Sequence, residues 1–448
     1  MPRETMPREE TILIEEQIVL QYAVPHFDQD REAGVLWWSE GAKNEPQVNW
    51  ERVLRLSLFH DVFPCVYRHL EYTGWKSVPD EAVGKFRKAW HHHLARNIIL
   101  HRELNRVLEL LATGGIKAIP LKGVLLAGLL YPDVTLRSFN DLDIWIRPQD
   151  KEKAEKLLQQ IDYKPRVTAV LDYSAENEYS FPFYRYFPHN RRVYLDLHWR
   201  LAKSRDYQAL PEKQWWNRAE EVWINDQRYF SFVPDDMFIY LAMKIHASAY
   251  CYLKQFIDLY QLLNQWGNRL DWGYIHQTTK EMGMANNLSF LFLTIEQLFD
   301  GRMVVIQPMI QPPPKKDAPK TTPLAGSVQS LRFHFLRHII NKKTILSGRY
   351  GRDLRQGLCL LLNDHLINSF ASTLRILFPS KKAICGRYLL SPHSKKIYFF
   401  YCLNPLLIAY WFFRGIVVKS SDEHGLGVLL RDSEKFPDLN ENTIPLRF

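Results

Sequence analysis

The spacing of apolar residues changes character twice along the chain. From residue 9 to about 115, and again over residues 211–300, apolar residues recur at helical spacing. The amphipathic stretch Val83–Leu111 is long, and it stops at Gly114-Gly115, which is typical of a helix end. Between these parts, apolar and polar residues alternate in short runs, as they do in β-strands. The pattern therefore predicts helices on both sides of a part that contains strands.

The strand-containing part is predicted to hold three short strands and two helices. The strands are Ile116–Leu121, Asp141–Ile146 and Val193–Trp199, and the helices are Val124–Leu130 and Asp150–Gln160. The aromatic stretch between the second helix and Asn190 has no clear period, and we predict it to be irregular.

These changes of pattern predict five consecutive regions. They are an N-terminal helical region, 1–115, a core with strands and helices, 116–210, a helical domain, 211–300, a Pro-rich linker or insertion, 301–326, and a mostly helical, basic C-terminal region, 327–448.

Composition narrows the class of protein. Hydrophobic residues make up 46% of the chain and aromatic residues 13%, which is typical of a folded protein. The net charge of +9 favours polyanionic partners, such as nucleotides, nucleic acid or a membrane surface, without choosing among them.

The cysteines and the N-terminus predict a cytoplasmic location. The cysteines are widely scattered and contain no CxxC pair: Cys65, Cys251, Cys359, Cys385 and Cys402. This spacing favours reduced thiols over a disulfide framework or a zinc site. The N-terminus lacks the apolar core of a signal peptide, and its repeated MPRE leaves both Met1 and Met6 as candidate starts.

The stretch Tyr398–Phe413 is uncharged and apolar, but Pro405 interrupts it. It is shorter than the roughly 20 apolar residues that a membrane-spanning helix needs. We therefore predict two buried helices joined at the proline and no transmembrane helix. Basic residues follow the stretch closely, so peripheral contact with a membrane through residues 398–419 stays open.

Two carboxylates are predicted to share one face of the second strand. Side chains alternate along a strand, which places Asp141 and Asp143 together. Like charges so placed repel each other unless a cation lies between them, and oxygen ligands favour a hard ion such as Mg²⁺. From these two residues alone, a solvated strand face is an equal alternative.

The third strand adds another carboxylate. Alternation places Asp196 and His198 on the face opposite the apolar side chains. Aspartate is disfavoured in strands, so three aspartates on two strands require a reason beyond local structure. This pattern favours a metal site formed by Asp141, Asp143 and Asp196, with His198 either near it or packed in the core.

Several polar residues are candidates for phosphate contacts. Lys122 and Gly123 precede the short helix, where free backbone N–H groups and a close approach suit a phosphate. Arg137 and Ser138 stand just before the carboxylates, although Arg137 is equally suited to pair with Asp141. Lys122 is equally well interpreted as an exposed lysine at a turn.

The helical domain offers two further candidates. Lys244 lies among apolar residues and is a candidate for contact with phosphates, and Asp258 is a candidate for orienting a basic residue. Each residue alone is more often found in surface or helix-pairing roles.

The order of these features resembles the DNA polymerase β-like nucleotidyltransferases. The order is a Lys-Gly turn, a short helix, an Arg-x-x-x-Asp-x-Asp strand, a later strand with one Asp and then a helical domain. More closely, the chain is similar to the bacterial proteins grouped simply as nucleotidyltransferase family proteins. The similar segments are 121–146, 194–201, 253–263, 270–272, 376–380 and 385–390.

The resemblance implies transfer of a nucleoside monophosphate from an NTP, ATP included, to an acceptor hydroxyl or phosphate, with release of pyrophosphate. Asp141 and Asp143 would hold two Mg²⁺ or Mn²⁺ ions, and Asp196 would complete the site of the ion that activates the nucleophile. The resemblance also implies an α+β fold, in which a small mixed β-sheet nucleotidyltransferase core has flanking helices and additional N- and C-terminal helical regions.

The resemblance gives the other candidates roles around the substrates. Lys122 and Gly123 would cradle the β and γ phosphates, near Arg137 and Ser138. Lys244 and Asp258 are similar to a Lys and an Asp in related toxin-type enzymes, and His198 would orient Asp196 or contact the acceptor.

The acceptor stays open. A glycan or a peptide fits the association of similar proteins with surface-polysaccharide or modified-peptide biosynthesis. A toxin-like enzyme that modifies tRNA or a protein is the second hypothesis, favoured by the basic C-terminal half. A non-catalytic nucleotide-binding scaffold is the third.

Overall fold

The fold is described from a computed structural model, which covers most of the N-terminal two thirds of the chain. The described residues are 12–25, 48–165, 179–187, 191–202, 207–299, 332–348 and 396–417, with short pieces between 359 and 395. The predicted linker, 301–326, and both candidate starts, Met1 and Met6, lie outside the described residues.

Helices form most of this structure. In chain order they are α1 Ile14–Tyr22, α2 Trp50–Phe59, α3 Phe63–Tyr72, α4 Asp80–Thr113, α5 Val124–Leu130, α6 Lys151–Gln160, α7 Glu212–Arg218, α8 Pro234–Ala247, α9 Leu253–Trp266, α10 Trp272–Glu281, α11 Ala285–Phe299, α12 Lys342–Leu346 and α13 Lys396–Val417. A further helical segment covers residues 332–339.

The long helix α4 confirms the periodicity of its sequence. It starts after Pro79, and the negative charges of Asp80 and Glu81 in its first turn interact favourably with the positive end of the helix dipole. It ends at Gly114, followed by Gly115 with a positive φ of 71° that glycine adopts without strain.

The central sheet is mixed, with the order β1-β2-β5-β4-β3. Its strands are β1 Ile119–Pro120, β2 Leu142–Trp145, β3 Lys164–Pro165, β4 Ser180–Phe187 and β5 Arg191–His198. The strands β2 and β5 are parallel, and every other neighbouring pair in this sheet is antiparallel. The predicted α+β fold with a small mixed sheet and flanking helices is thus confirmed.

Strand β4 corrects the prediction that residues 161–190 are irregular. Its sequence, SFPFYRYF, is aromatic on both faces and contains Pro182, which weakens any strand signal. The strand forms because all its residues pair with β5, from Ser180 opposite His198 to Phe187 opposite Arg191.

A β-hairpin also interrupts the region predicted as helical throughout, residues 211–300. Strands β6 Glu220–Ile224 and β7 Gln227–Ser231 pair in antiparallel fashion. Both residues of the two-residue turn, Asn225 and Asp226, have positive φ angles of 47° and 61°. Asn and Asp tolerate this conformation, which matches the twist of the paired strands.

The helix α13 corrects the prediction of two buried helices joined at Pro405. The helix is continuous through the proline, because one missing N–H and a local bend do not end a helix whose other hydrogen bonds form. Several of its aromatic side chains are exposed rather than buried. Among the described residues, no helix combines the length and the hydropathy that crossing a bilayer requires.

One cluster of buried apolar residues joins the helices before the sheet, the sheet and the helices after it. It extends along the sequence from Ile18 to Leu362. The buried His60 adds a polar connection within it: its Nδ1 accepts from the Leu253 N–H at 3.3 Å, so its Nε2 carries the hydrogen donated to the Leu346 carbonyl at 2.9 Å.

The boundaries of the five regions predicted from the sequence stay predictions.

A polar network holds α7, α8 and α10 together behind the sheet. The Tyr274 hydroxyl donates to the buried Asp236 carboxylate at 2.7 Å, and the Arg218 guanidinium lies 3.4 Å from the same carboxylate. Burial raises the pKa of Asp236 to about 6, although the Tyr274 hydrogen bond and the Arg218 charge both lower it.

We expect Asp236→Asn to gain stability relative to wild type as the pH rises from 4 to 7. Because the folded pKa of Asp236 lies above its unfolded value, wild type loses stability while the carboxyl ionises, by up to about 3 kcal/mol. Asn cannot ionise and is free of this loss. Thermal melts of both proteins at each pH measure the difference.

Tyr274→Phe serves as the control for this experiment. It removes a hydrogen bond that lowers the folded pKa of Asp236, so this pKa should rise further. The loss of stability should then continue to a higher pH than in wild type. A melting-temperature difference between Asp236→Asn and wild type that is the same at pH 4 and pH 7 would contradict the assignment.

Candidate metal and nucleotide site

Two neighbouring parallel strands bring two of the predicted carboxylates together. In the register of β2 and β5, Asp143 lies directly opposite Asp196. Their apolar neighbours Leu142, Ile144 and Leu195 are buried on the other face, so both carboxylates point to the same side of the sheet. His198 is two residues beyond Asp196 and joins them on this face. Asp143, Asp196 and His198 each offer a ligand atom, and these atoms lie within 4.8 Å of one another.

Asp143 is ionised and paired with two residues. Lys122 Nζ donates to its Oδ2 at 3.0 Å, and His198 Nε2 donates to its Oδ1 at 3.0 Å. Burial raises the pKa of Asp143, but the Lys122 charge and the His198 hydrogen bond outweigh burial and hold this pKa well below its usual range. The carboxylate side chain is only 7% exposed, so these interactions act in a medium of low dielectric constant.

His198 is neutral and keeps a lone pair available. Burial lowers its pKa against the opposing effect of Asp143. Since Nε2–H donates to Asp143, the Nδ1 atom carries the lone pair, and within the described part of the chain Nδ1 has no hydrogen-bond partner. A neutral imidazole in this state is suited to bind a metal ion.

The donor set fits a divalent cation. Two carboxylates favour hard ions such as Mg²⁺ and Mn²⁺, and one imidazole extends the choice towards transition metals. The separation of the donor atoms allows all three residues to contact one ion.

Asp141 lies outside this three-residue group. Strand β2 begins at Leu142, so Asp141 stands one residue before the strand and is partly exposed. Its charge still acts on the site, because it raises the pKa of Lys122 together with Asp143, against the effect of burial. The candidate group thus contains two of the three predicted carboxylates together with His198, and a metal-binding role for Asp141 stays a prediction.

The Lys122-Gly123 turn is fixed against the same strand. The backbone N–H of Leu121 donates to the Asp143 carbonyl at 3.0 Å. Gly123 has φ 55° and ψ −119°, a conformation that strains any residue with a Cβ. Its carbonyl accepts from the Ala127 N–H at 3.1 Å, and this bond starts the predicted helix α5.

Arg137 is used inside the protein. Its Nε and Nη2 each donate to a different oxygen of Asp258 at 2.8 Å, and both side chains are buried. Its Nη1 donates to the Gly123 carbonyl at 3.2 Å, and the Tyr131 hydroxyl also donates to Asp258 at 2.8 Å. A buried guanidinium requires such a partner. Arg137 pairs with Asp258 rather than with Asp141, and its role in nucleotide binding stays a prediction.

Asp258 thereby takes the orienting role considered for it, with Arg137 as the basic residue. The pair joins α9 to the loop before β2, although the two residues are 121 positions apart in sequence. It also reaches the Gly123 turn, so the helical domain and the turn are mechanically connected.

Ser138 and Lys244 are two further predicted residues, and each takes part in a hydrogen bond with a lysine ammonium as donor. The Ser138 carbonyl accepts from Lys254 Nζ at 3.3 Å, and Lys254 also pairs with Asp61 at 2.7 Å. Lys244 Nζ donates to the Leu201 carbonyl at 3.3 Å. The charge of Lys244 lowers the pKa of Asp143 after the larger effects of burial, Lys122 and His198, so the predicted lysine acts on the site.

Tyr240 is a residue of this site that the sequence did not predict. It lies one helical turn before Lys244 on α8, and the Lys244 ammonium lies 5.0 Å from the centre of its ring. The side chain is fully buried, and its hydroxyl has no hydrogen-bond partner among the residues described. Burial raises its pKa, with further effects from Lys122, Asp143 and Asp141. The spacing of four residues from Lys244 was the available signal.

One comparison with known proteins found a match for this chain. The model of a family described as uncharacterised nucleotidyltransferase matches residues 46–300, which is more than half of the 448 residues. A search of curated proteins and a search of solved structures gave no match. The matched range contains the carboxylates, the Lys-Gly turn, the Arg137–Asp258 pair and Tyr240. The chain belongs to this family of uncharacterised nucleotidyltransferases.

Proposed function

We propose that this protein transfers a nucleoside monophosphate from an NTP to an acceptor and releases pyrophosphate, with Mg²⁺ or Mn²⁺ held at Asp143 and Asp196. The observation that supports this most directly is the register that sets Asp143 opposite Asp196, with His198 in reach of both. Membership of the family supports nucleotidyl transfer in general.

The carboxylates would hold the cation through their oxygens, and His198 would add its nitrogen or orient Asp143. A divalent cation bound there neutralises phosphate charge and lowers the pKa of an acceptor hydroxyl. Asp141, one residue before β2, adds negative charge that would attract the ion. This charge supports its predicted role as a further ligand.

Lysines and a hydroxyl surround the place where the triphosphate would bind. Lys122 already contacts Asp143, so its ammonium is close enough to meet a phosphate bound through the metal. Lys244 adds a second positive charge. The Tyr240 hydroxyl, which has no hydrogen-bond partner in the described part of the chain, would supply a donor. Gly123 permits close approach of the ligand to the backbone, and the Ser138 hydroxyl stays a predicted contact of the nucleotide.

This arrangement assigns different tasks to two of the predicted regions. Residues 116–210 supply the carboxylates and the turn, and residues 211–300 supply Lys244, Tyr240 and Asp258. Both regions would therefore be needed for one site, and the acceptor would be a glycan, a peptide or RNA.

We expect pyrophosphate release to depend on the carboxylates. With each labelled NTP, Mg²⁺ or Mn²⁺ and a cell extract as source of acceptor, Asp143→Asn and Asp196→Asn should lower the rate at least about 100-fold, because charge stabilisation in the transition state is lost. The α-phosphate label should move to the acceptor, whose chemical class then follows.

Asp226→Asn is the matched control, because it makes the same chemical change at an exposed turn of the β6–β7 hairpin, where Asn keeps the positive φ. It should react as wild type does. Undiminished release by both site variants would refute the site, and NTP binding without release by wild type would support the non-catalytic scaffold.

We expect Arg137 to act by positioning the turn. Arg137→Met leaves Asp258 buried without its cation and should cost about 3 to 5 kcal/mol of unfolding free energy. The double variant Arg137→Met with Asp258→Leu should regain much of this stability, because two apolar side chains replace the buried pair. Its pyrophosphate release should stay low, since the Gly123 carbonyl has lost the hydrogen bond from Arg137 that ties the turn to α9.

Urea unfolding and steady-state kinetics of both variants separate the two effects. Full activity in the stable double variant would show that the pair serves folding alone and would remove Arg137 from the site.

A further inference from the structure

The helix α13 has one face that packs against the segment preceding it. Ile397 belongs to a small buried cluster with Ile384 and Cys385, and Phe400 packs partly against it. On the same side, the Asn404 side chain donates to the Leu377 carbonyl at 2.7 Å. This face fixes the first turns of the helix to the preceding segment.

The opposite face is apolar and exposed. Tyr398, Cys402, Leu406 and Tyr410 recur every fourth residue, so they form one stripe along the helix. Tyr398 is 74% exposed, Phe399 beside it 64%, Leu406 67% and Tyr410 55%. We call Tyr398, Phe399, Leu406 and Tyr410 the aromatic stripe. Burial of these side chains away from water would be favourable, so an exposed stripe of this kind marks a surface for binding.

The charged residues that flank this helix in sequence have a single sign. No aspartate or glutamate occurs between Asp364 and Asp422. The basic residues of this interval are Arg375, Lys381, Lys382, Arg387, Lys395, Lys396, Arg414 and Lys419. Lys395 and Lys396 are exposed at the start of α13, directly before the stripe.

We propose that α13 lies in the interface of a membrane that contains anionic lipids. The aromatic stripe would enter the boundary between headgroups and acyl chains, where Tyr and Phe rings are stable, and the lysines would meet the lipid phosphates. The packed face and the Asn404 hydrogen bond hold the helix to the segment before it, so the aromatic stripe stays on the uncovered side of the helix. The charge pattern favours lipid over a second copy of the chain, because two copies would bring basic segments together.

Flotation of the full chain with vesicles tests this proposal. The protein should float with vesicles of phosphatidylglycerol and phosphatidylcholine, much less with phosphatidylcholine alone, and less as salt rises, because salt screens the lysines. Phe399→Glu and Leu406→Glu should each reduce binding at least tenfold, since each removes an apolar side chain that the membrane would bury and adds a negative charge. Lys395→Ala with Lys396→Ala should reduce the preference for anionic lipid without changing any packed residue.

Trp223→Glu is the matched control. Trp223 is 69% exposed on β6, far in sequence from α13, and its replacement should leave vesicle binding unchanged. Pyrophosphate release in solution should be the same in Phe399→Glu as in wild type, because α13 contributes no residue to the proposed site. Equal flotation of wild type and all stripe variants would overturn the proposal. So would light scattering that shows a dimer which Phe399→Glu separates, because a second copy would then cover the stripe.

Discussion

Two carboxylates face each other across neighbouring parallel strands, and their repulsion must be offset for the sheet to be stable. The register that sets Asp143 opposite Asp196 cannot shift by one residue without turning every apolar side chain of β2 to the wrong face. The charge is therefore fixed in place by the core. Lys122 contacts Asp143 and offsets its charge, the neutral His198 donates a hydrogen bond to it, and Lys244 adds a more distant positive charge. A divalent cation would serve the same electrostatic need, which connects the stability of the sheet to the proposed chemistry.

The rest of the site depends on a second buried charge pair. Arg137 and Asp258 connect the Lys-Gly turn with α9, so the turn is positioned from behind by a part of the chain that follows the sheet in sequence. Tyr131 completes the carboxylate's hydrogen bonds. The pair is buried and strongly directional, and it limits how far the turn can move relative to the carboxylates. A phosphate-binding turn held in this way would need little reorganisation when the nucleotide binds.

Local pattern predicted the features that local forces decide. Strand alternation placed Asp143 and Asp196 on the same face, and the helix Val124–Leu130 was predicted with its observed bounds. Local pattern does not predict contacts between residues that are distant in sequence. No residue near Arg137 in the sequence indicates that Asp258 is its partner. Strand β4 depends on pairing with β5 rather than on its own sequence, and α13 continues through Pro405 because neighbouring turns stabilise it. His198 was interpreted as an accessory residue, since only the register shows that its ring reaches Asp143.

The central claim is that Asp143, Asp196 and His198 hold a divalent cation. Crystals of the protein soaked with Mn²⁺ and a non-hydrolysable NTP, measured at a wavelength where Mn²⁺ scatters anomalously, test it most directly. We expect an anomalous peak for Mn²⁺ within bonding distance of oxygens of Asp143 and Asp196, with the triphosphate beside Lys122. A map without a peak at these residues, in crystals where the nucleotide is bound, would contradict it.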